Sequence, residues 1–153
     1  MILTLEEAEI RYGKIENFLW QEEARHCQYV QIPKDISENW INSATGKSVN
    51  KIYCNRDMSG ALLEGLQNVR DRKLIHELET FDGCLNIRDV RGAPGKVSTH
   101  AYALSLDINA ATNRLGTKGN ISSGLVSCFK DAGFIWGGEF ERLDPMHFQY
   151  AKW

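Results

Sequence analysis

Val97-Ser98-Thr99-His100-Ala101-Tyr102-Ala103-Leu104-Ser105-Leu106-Asp107-Ile108-Asn109 alternates along its second half. Leu104, Leu106 and Ile108 make one apolar face of a strand, and Ala103, Ser105, Asp107 and Asn109 share the other. The small residues flanking Asp107 leave room for a ligand beside its carboxylate. His100 lies an odd number of positions from Asp107, so a straight strand would send the two side chains to opposite faces. A bend near Ala101 to Ala103 is required if both are to reach one ion.

A second stretch has the same character. In Glu141-Arg142-Leu143-Asp144-Pro145-Met146-His147-Phe148-Gln149, Met146, Phe148 and Tyr150 form the inward face, and His147 and Gln149 point the other way. Pro145 keeps Asp144 out of the helical region and suits a turn just before the strand. That turn can carry Asp144 to the side of His147. Two imidazoles and a carboxylate, from His100, His147 and Asp107, make a three-ligand set for a catalytic zinc with a fourth position for water. Asp144 is then the separate carboxylate that such chemistry needs as a base. The same donor types serve non-haem iron, so the residues alone leave the metal open.

Outward from these stretches, the pattern predicts a mixed chain. Thr4-Leu5-Glu6-Glu7 is a capping box for a short helix that Gly13 can end. Residues 29–32 alternate as a strand closed by Pro33, residues 42–50 are polar and loop-like, and residues 51–54 form another short strand. Leu62, Leu63, Leu66 and Val69 fall at helical spacing within residues 58–72. Residues 79–87 carry strand signals interrupted by Gly83, and a second helix is expected from Ser122 or Ser123 through Lys130, ended by Gly133. Residues 134–136 and 146–151 complete the strands. Helices early and strands late predict an α+β domain rather than a wound βαβ sheet.

The 153 residues suit a single domain, 1–153, with one core, and a charged fraction of 25% against 42% hydrophobic excludes a mainly disordered chain. A net charge of -2 predicts no general attraction to nucleic acid or an anionic membrane. No apolar run reaches membrane-spanning length. Glu6, Glu7 and Glu9 interrupt any signal-like segment, so synthesis in the cytoplasm without a signal peptide is expected. Cys27, Cys54, Cys84 and Cys128 form no C-x-x-C pair, and buried free thiols are expected.

The segments Ser98-x-His100 through Asp107 and Asp144-x-x-His147 resemble the two signature motifs of the zinc D-alanyl-D-alanine carboxypeptidase family, S-x-H-x-x-G-x-A-x-D and E/D-x-x-H. That family includes phage L-alanyl-D-glutamate endolysins and vancomycin-resistance dipeptidases. The resemblance covers about residues 80–150; the first half of the chain matches loosely. It implies a fold of the Hedgehog/DD-peptidase type, a small antiparallel sheet with helices packed on one side and a zinc cleft. It further implies Zn2+ on His100, Asp107 and His147, and Asp144 as catalytic base. Arg88, or failing that Arg91, would be the active-site arginine, and Ser98 would contact substrate. The implied substrate is a peptidoglycan stem peptide, cut outside the cytoplasm after release in the manner of a phage endolysin. Terminal D-alanine removal is the enzymatic alternative, and a non-catalytic zinc-holding binding module is the alternative from another class. Two positions depart from the motif: its glycine is Ala103 here and its alanine is Ser105.

Other residues carry weaker signals. Trp136 could wall the cleft, with Gly137 and Gly138 admitting substrate to the backbone; a strand ending in a turn is the plain alternative. His26 and His76 lie outside both motifs and are expected to bind nothing. Asn109 and Asn113 suit turn hydrogen bonds, with Asn109 also near enough to Asp107 to support it. Glu139, Glu141 and Asp144 lack EF-hand spacing and read as a solvated loop.

Overall fold

The computed structural model describes residues 2–152. The first helix, α1 (Leu5–Tyr12), begins at the expected capping box: the Thr4 hydroxyl accepts from Glu7 N–H, the Glu7 carboxylate accepts from Thr4 N–H, and Gly13 ends the helix. A hairpin of β1 (Ile15–Glu16) and β2 (Leu19–Trp20) follows, then the single turn α2 (Glu23–His26). Strand β3 (Cys27–Gln31) pairs antiparallel with β5 (Lys51–Asn55), and the short α3 (Lys34–Ser37) and β4 (Ile41–Asn42) lie between them.

The main helix, α4 (Arg56–Asp71), is capped by the Asn55 side chain and buries Met58, Ala61, Leu62, Leu66 and Val69 on one face. Each of its fully buried large side chains is worth roughly 1.5–3 kcal/mol relative to exposure. Leu63, grouped with that face by spacing, is exposed instead, at the edge of the apolar stripe. Helix α5 (Ser123–Lys130) packs against α4 where Gly65 makes room: a Cβ there would sit 2.8 Å from the Phe129 ring.

The sheet that carries the chemistry has five strands in the order β10 (Phe134–Trp136), β11 (His147–Tyr150), β9 (Ser105–Ile108), β6 (Thr80–Gly83), β4. Neighbours run antiparallel except β4 and β6, which are parallel, so the sheet is mixed at one edge rather than purely antiparallel. β4 is not among the expected strands, and it overlaps the stretch expected to be loop only at Asn42; a two-residue strand has no period to read. β7 (Asp89–Val90) and β8 (Ala93–Val97) pair antiparallel as a separate two-stranded sheet.

Register decides what the sheet presents. On β11 and β9, His147 is opposite Asp107, Phe148 opposite Leu106 and Gln149 opposite Ser105. Leu106 and Phe148 are fully buried, and the Phe148 ring lies 5.0 Å from that of Phe129 on α5. The helical layer therefore covers the apolar face, and Asp107, His147, Ser105 and Gln149 share the other. A slip of one residue would put Asp107 against the helices, at the cost of burying a charge. Among the described residues no helix is long and apolar enough to cross a membrane. All four cysteines are buried free thiols.

Candidate metal centre and cleft

The bend demanded by the His100–Asp107 spacing is present. Ser98 caps a single 3-10 turn over Thr99–Tyr102, its hydroxyl accepting from His100 N–H, and Ala103 then turns left-handed at φ 53, ψ 36 before β9 begins. This is the position where the resembling motif has glycine. Alanine in that conformation costs about 1–2 kcal/mol, which glycine would not incur. The turn brings the His100 ring round to the polar face of β9.

There the three expected ligands converge. His100 Nε2 lies 3.1 Å from Asp107 Oδ1 and 3.1 Å from His147 Nδ1, which is itself 3.2 Å from the same carboxylate oxygen. The other ring nitrogens are already committed. His100 Nδ1–H donates to the Cys84 carbonyl at 2.7 Å, and His147 Nε2–H donates to Gln149 Oε1 at 3.1 Å. Both acceptors are carbonyl oxygens, so they favour the tautomers whose lone pairs face inward. Zinc bonds of about 2.0–2.2 Å place tetrahedral donors roughly 3.3–3.5 Å apart. A triangle with edges of 3.1–3.2 Å needs only a small expansion to match that spacing. The donor set fits zinc.

The electrostatics favour positive charge at the centre of this triangle. Burial alone would raise the pKa of Asp107, but hydrogen bonds and charge from His100 and His147 outweigh it and hold the carboxylate below the usual range. Burial alone would lower the pKa of His147, and the Asp107 carboxylate reverses this, pushing the imidazole up.

Beside the triangle opens a cleft of about 650 Å³, lined by the three donors together with Asp144, Arg88, Ser98 and Gln149. Asp144 arrives there as Pro145 predicts: His147 N–H donates to the Asp144 carbonyl at 3.0 Å and closes the turn. The Asp144 carboxyl is half-buried, and its Oδ1 has no hydrogen-bond partner among the described residues. Burial is the main reason its pKa is raised, with the nearby Asp107 charge adding to it. Arg88 is similarly poised. One guanidinium nitrogen donates to the Asp89 carbonyl, while its buried Nε has no partner among the described residues. Arg91 also borders the cleft, but its side chain is exposed.

Trp136 is placed differently from the cleft wall considered above. It is absent from the residues lining the cleft; its indole N–H donates to the Pro145 carbonyl at 2.7 Å, and its ring lies over Gly138. The two glycines serve the protein's own packing. A Cβ on Gly137 would collide with the Asp144 carbonyl and approach His147 Cβ to 3.1 Å. Gly137 also accepts from Asp144 N–H at 2.8 Å, so its bareness sets the position of the Asp144–His147 turn.

Asn109 is occupied elsewhere too. It is left-handed at φ 52; its carbonyl oxygen accepts from Glu79 and Thr80 N–H, and its amide donates to the Glu77 carbonyl. Asn113 likewise ties its own loop together, accepting from the backbone N–H of Asn120 and Ile121. His26 stacks on Trp20, and His76 is exposed in a 3-10 turn.

Two features escaped the reading of the motifs. One is Gln149 as the partner of His147, although strand alternation had already put both on one face. The other is the N-terminal wall: Ile2, Leu3, Thr4 and Leu5 line the same cleft. No local pattern announces that residues so far apart in the chain border one cleft.

Comparison with known proteins bears on the same region. Residues 91–150 match a family model described as D-alanyl-D-alanine carboxypeptidase. The matched span contains His100, Asp107, Asp144 and His147 and stops short of Arg88. The family is one of zinc-dependent peptidases, and the match supports peptidase chemistry at this cleft. No curated protein and no solved structure matches the chain.

Proposed function

We propose that the protein is a zinc peptidase that hydrolyses a bond within peptidoglycan stem peptides, with cleavage between L-alanine and D-glutamate as in phage endolysins. The observation that carries this reading is the convergence of His100, Asp107 and His147 within hydrogen-bonding distance, with Asp144, whose Oδ1 has no partner among the described residues, in the same cleft. Zinc held by these three side chains would supply the positive charge that polarises a carbonyl and makes water acidic near neutral pH.

The chain's own groups account for the rest. Asp144, whose carboxyl burial raises above its ordinary pKa, takes a proton from the attacking water and returns it to the departing amine. The Arg88 guanidinium, whose Nε is uncommitted among the described residues, steadies negative charge developing on the scissile carbonyl oxygen. Ser98 stiffens the turn that carries His100, and its place in the cleft lining makes it a substrate contact. Arg91, at the exposed edge, meets the distal part of the substrate. A cleft of about 650 Å³ lies in the range that surrounds a ligand of drug size, enough for residues on both sides of an internal bond.

The matched family's description favours a second reading, removal of terminal D-alanine. Digestion of purified peptidoglycan followed by mass analysis separates the two. New N-terminal D-glutamate is the expected product, free D-alanine would establish the carboxypeptidase reading, and neither product would leave a zinc-holding binding module. Elemental analysis should find about one zinc per chain, lost in His147→Ala; full retention in that variant would break the ligand set.

A further inference from the structure

Behind His147, on the side away from the cation position, lies a second buried polar side chain. Gln149 is two residues further along β11, on the same face, and opposite the fully buried Ser105, whose small side chain leaves it space. His147 and Gln149 are each only 7% exposed. Among the described residues, the bond from His147 Nε2–H is the one hydrogen bond made by the Gln149 side chain. A carboxamide in the cleft wall with one partner among the described residues adds little to folding stability, because a long polar side chain there costs desolvation that a leucine would avoid.

We infer that Gln149 is a positioning residue for the metal: its carbonyl oxygen holds the His147 ring so that the Nδ1 lone pair faces Asp107 and His100. This rests on the proposal that the triangle binds zinc. Without an acceptor at 149, the ring gains two freedoms. It can rotate about its Cβ–Cγ bond, and it can move its proton to Nδ1, where the Asp107 carboxylate 3.2 Å away would receive it. Both changes remove a donor from the triangle. His100 has no such freedom, because its back nitrogen is held by the Cys84 main-chain carbonyl, which no side-chain substitution removes. The two histidines are thus secured by different means, and the one secured by a side chain is the one that can be tested. A neutral amide also orients the ring without adding a further negative charge to a site that already holds Asp107 and Asp144.

The test uses the full chain and zinc alone, with no substrate. Zinc affinity is measured by competition with a chelating dye for the wild type, Gln149→Leu, Gln149→Met and Gln149→Glu, and the melting temperature of each is recorded in chelator. Leucine and methionine should weaken zinc binding by about 10- to 100-fold, the usual consequence of removing a partner behind a metal-bound histidine. Glutamate, which keeps an acceptor, should bind at least as tightly as the wild type. The metal-free melting temperatures of the leucine and methionine variants should not fall. Methionine fills the volume flexibly and serves if leucine does not fold.

Wild-type affinity in the leucine or methionine variant would overturn the inference while leaving the zinc site intact. Equal losses in all three variants, or losses tracking a fall in metal-free stability, would make Gln149 a packing residue and overturn it as well. No binding by the wild type would remove the zinc reading, and this inference with it.

Discussion

Replacing Asp144 with alanine should move stability and activity in opposite directions. The carboxyl is half-buried with Oδ1 shielded from solvent and unpartnered among the described residues, while the backbone N–H and carbonyl of the same residue are both bonded in the turn. A buried polar group without a partner costs about 1–3 kcal/mol. The positive charge of Arg88 offsets part of that, so the lower end, about 1 kcal/mol, is the expected gain on removal. For a domain of this size the gain corresponds to a rise in melting temperature of about 2–4 °C. The sign depends on pH. Burial raises the folded-state pKa of Asp144 above its unfolded value, so the folding cost is fully present above the folded pKa and vanishes below the unfolded one. Melting in chelator at pH 7 should therefore show the gain, and melting near pH 3.5 should not. Hydrolysis of peptidoglycan, followed by release of new amino groups, should fall at least ~10²-fold, with zinc content unchanged. A variant that is clearly less stable at pH 7 would mean that the carboxyl has a structural partner, and an unchanged rate would remove it from catalysis.

Asn109→Ala should cost about 3 kcal/mol in urea unfolding, since two backbone N–H groups lose their acceptor and a left-handed residue loses the side chain that tolerates it. A loss under about 1 kcal/mol would show that solvent replaces those bonds easily. The thiols should be silent towards an aromatic disulfide reagent in the native protein and react in full after denaturation. Burial pushes Cys27 and Cys54 up to about 12, and raises Cys84 well above its usual value. Rapid native labelling of any one of them would contradict the burial described.

The parts of this fold that were legible in the sequence are those governed by short-range rules. Thr4 and Glu7 form their capping box because both groups lie within one turn, and α4 follows the spacing of Leu62, Leu66 and Val69. Alternation along residues 104–108 and 147–149 separates the helix-facing side chains from the polar ones, whereas Met146, expected on the inward face, precedes the strand and lines the cleft instead. Pairing His147 with Asp107 is a different matter. Alternation fixes which face each residue takes but not which residue sits opposite, and a neighbouring pairing of the same parity would preserve both faces. The motif resemblance closed that gap. Trp136 shows the reverse failure: position alone suggested the cleft, whereas the indole N–H found the carbonyl of Pro145, folded back beside it. The N-terminal wall brings residues 2–5 to the same cleft as residues 140–149, a long-range arrangement that no local pattern records.

Several unfavourable features meet at one wall of the cleft, and together they are the strongest physical reason to regard it as a working site. Ala103 adopts a left-handed backbone that its methyl group disfavours, and this residue turns His100 towards Asp107. Two imidazole nitrogens and a carboxylate oxygen then approach within 3.1–3.2 Å of one another, an arrangement of electron pairs that repels itself unless positive charge lies between them. Among the described residues, Asp144 and Arg88 each keep a shielded polar atom unpaired in the same cleft. If folding alone had shaped this region, glycine at 103 and apolar side chains at 144 and 149 would serve better. A cation bound by the three donors removes the repulsion, and a peptide in the cleft gives Asp144 and Arg88 their missing partners. The costs fall where occupancy would relieve them, which is the pattern expected when strain is retained for binding and chemistry.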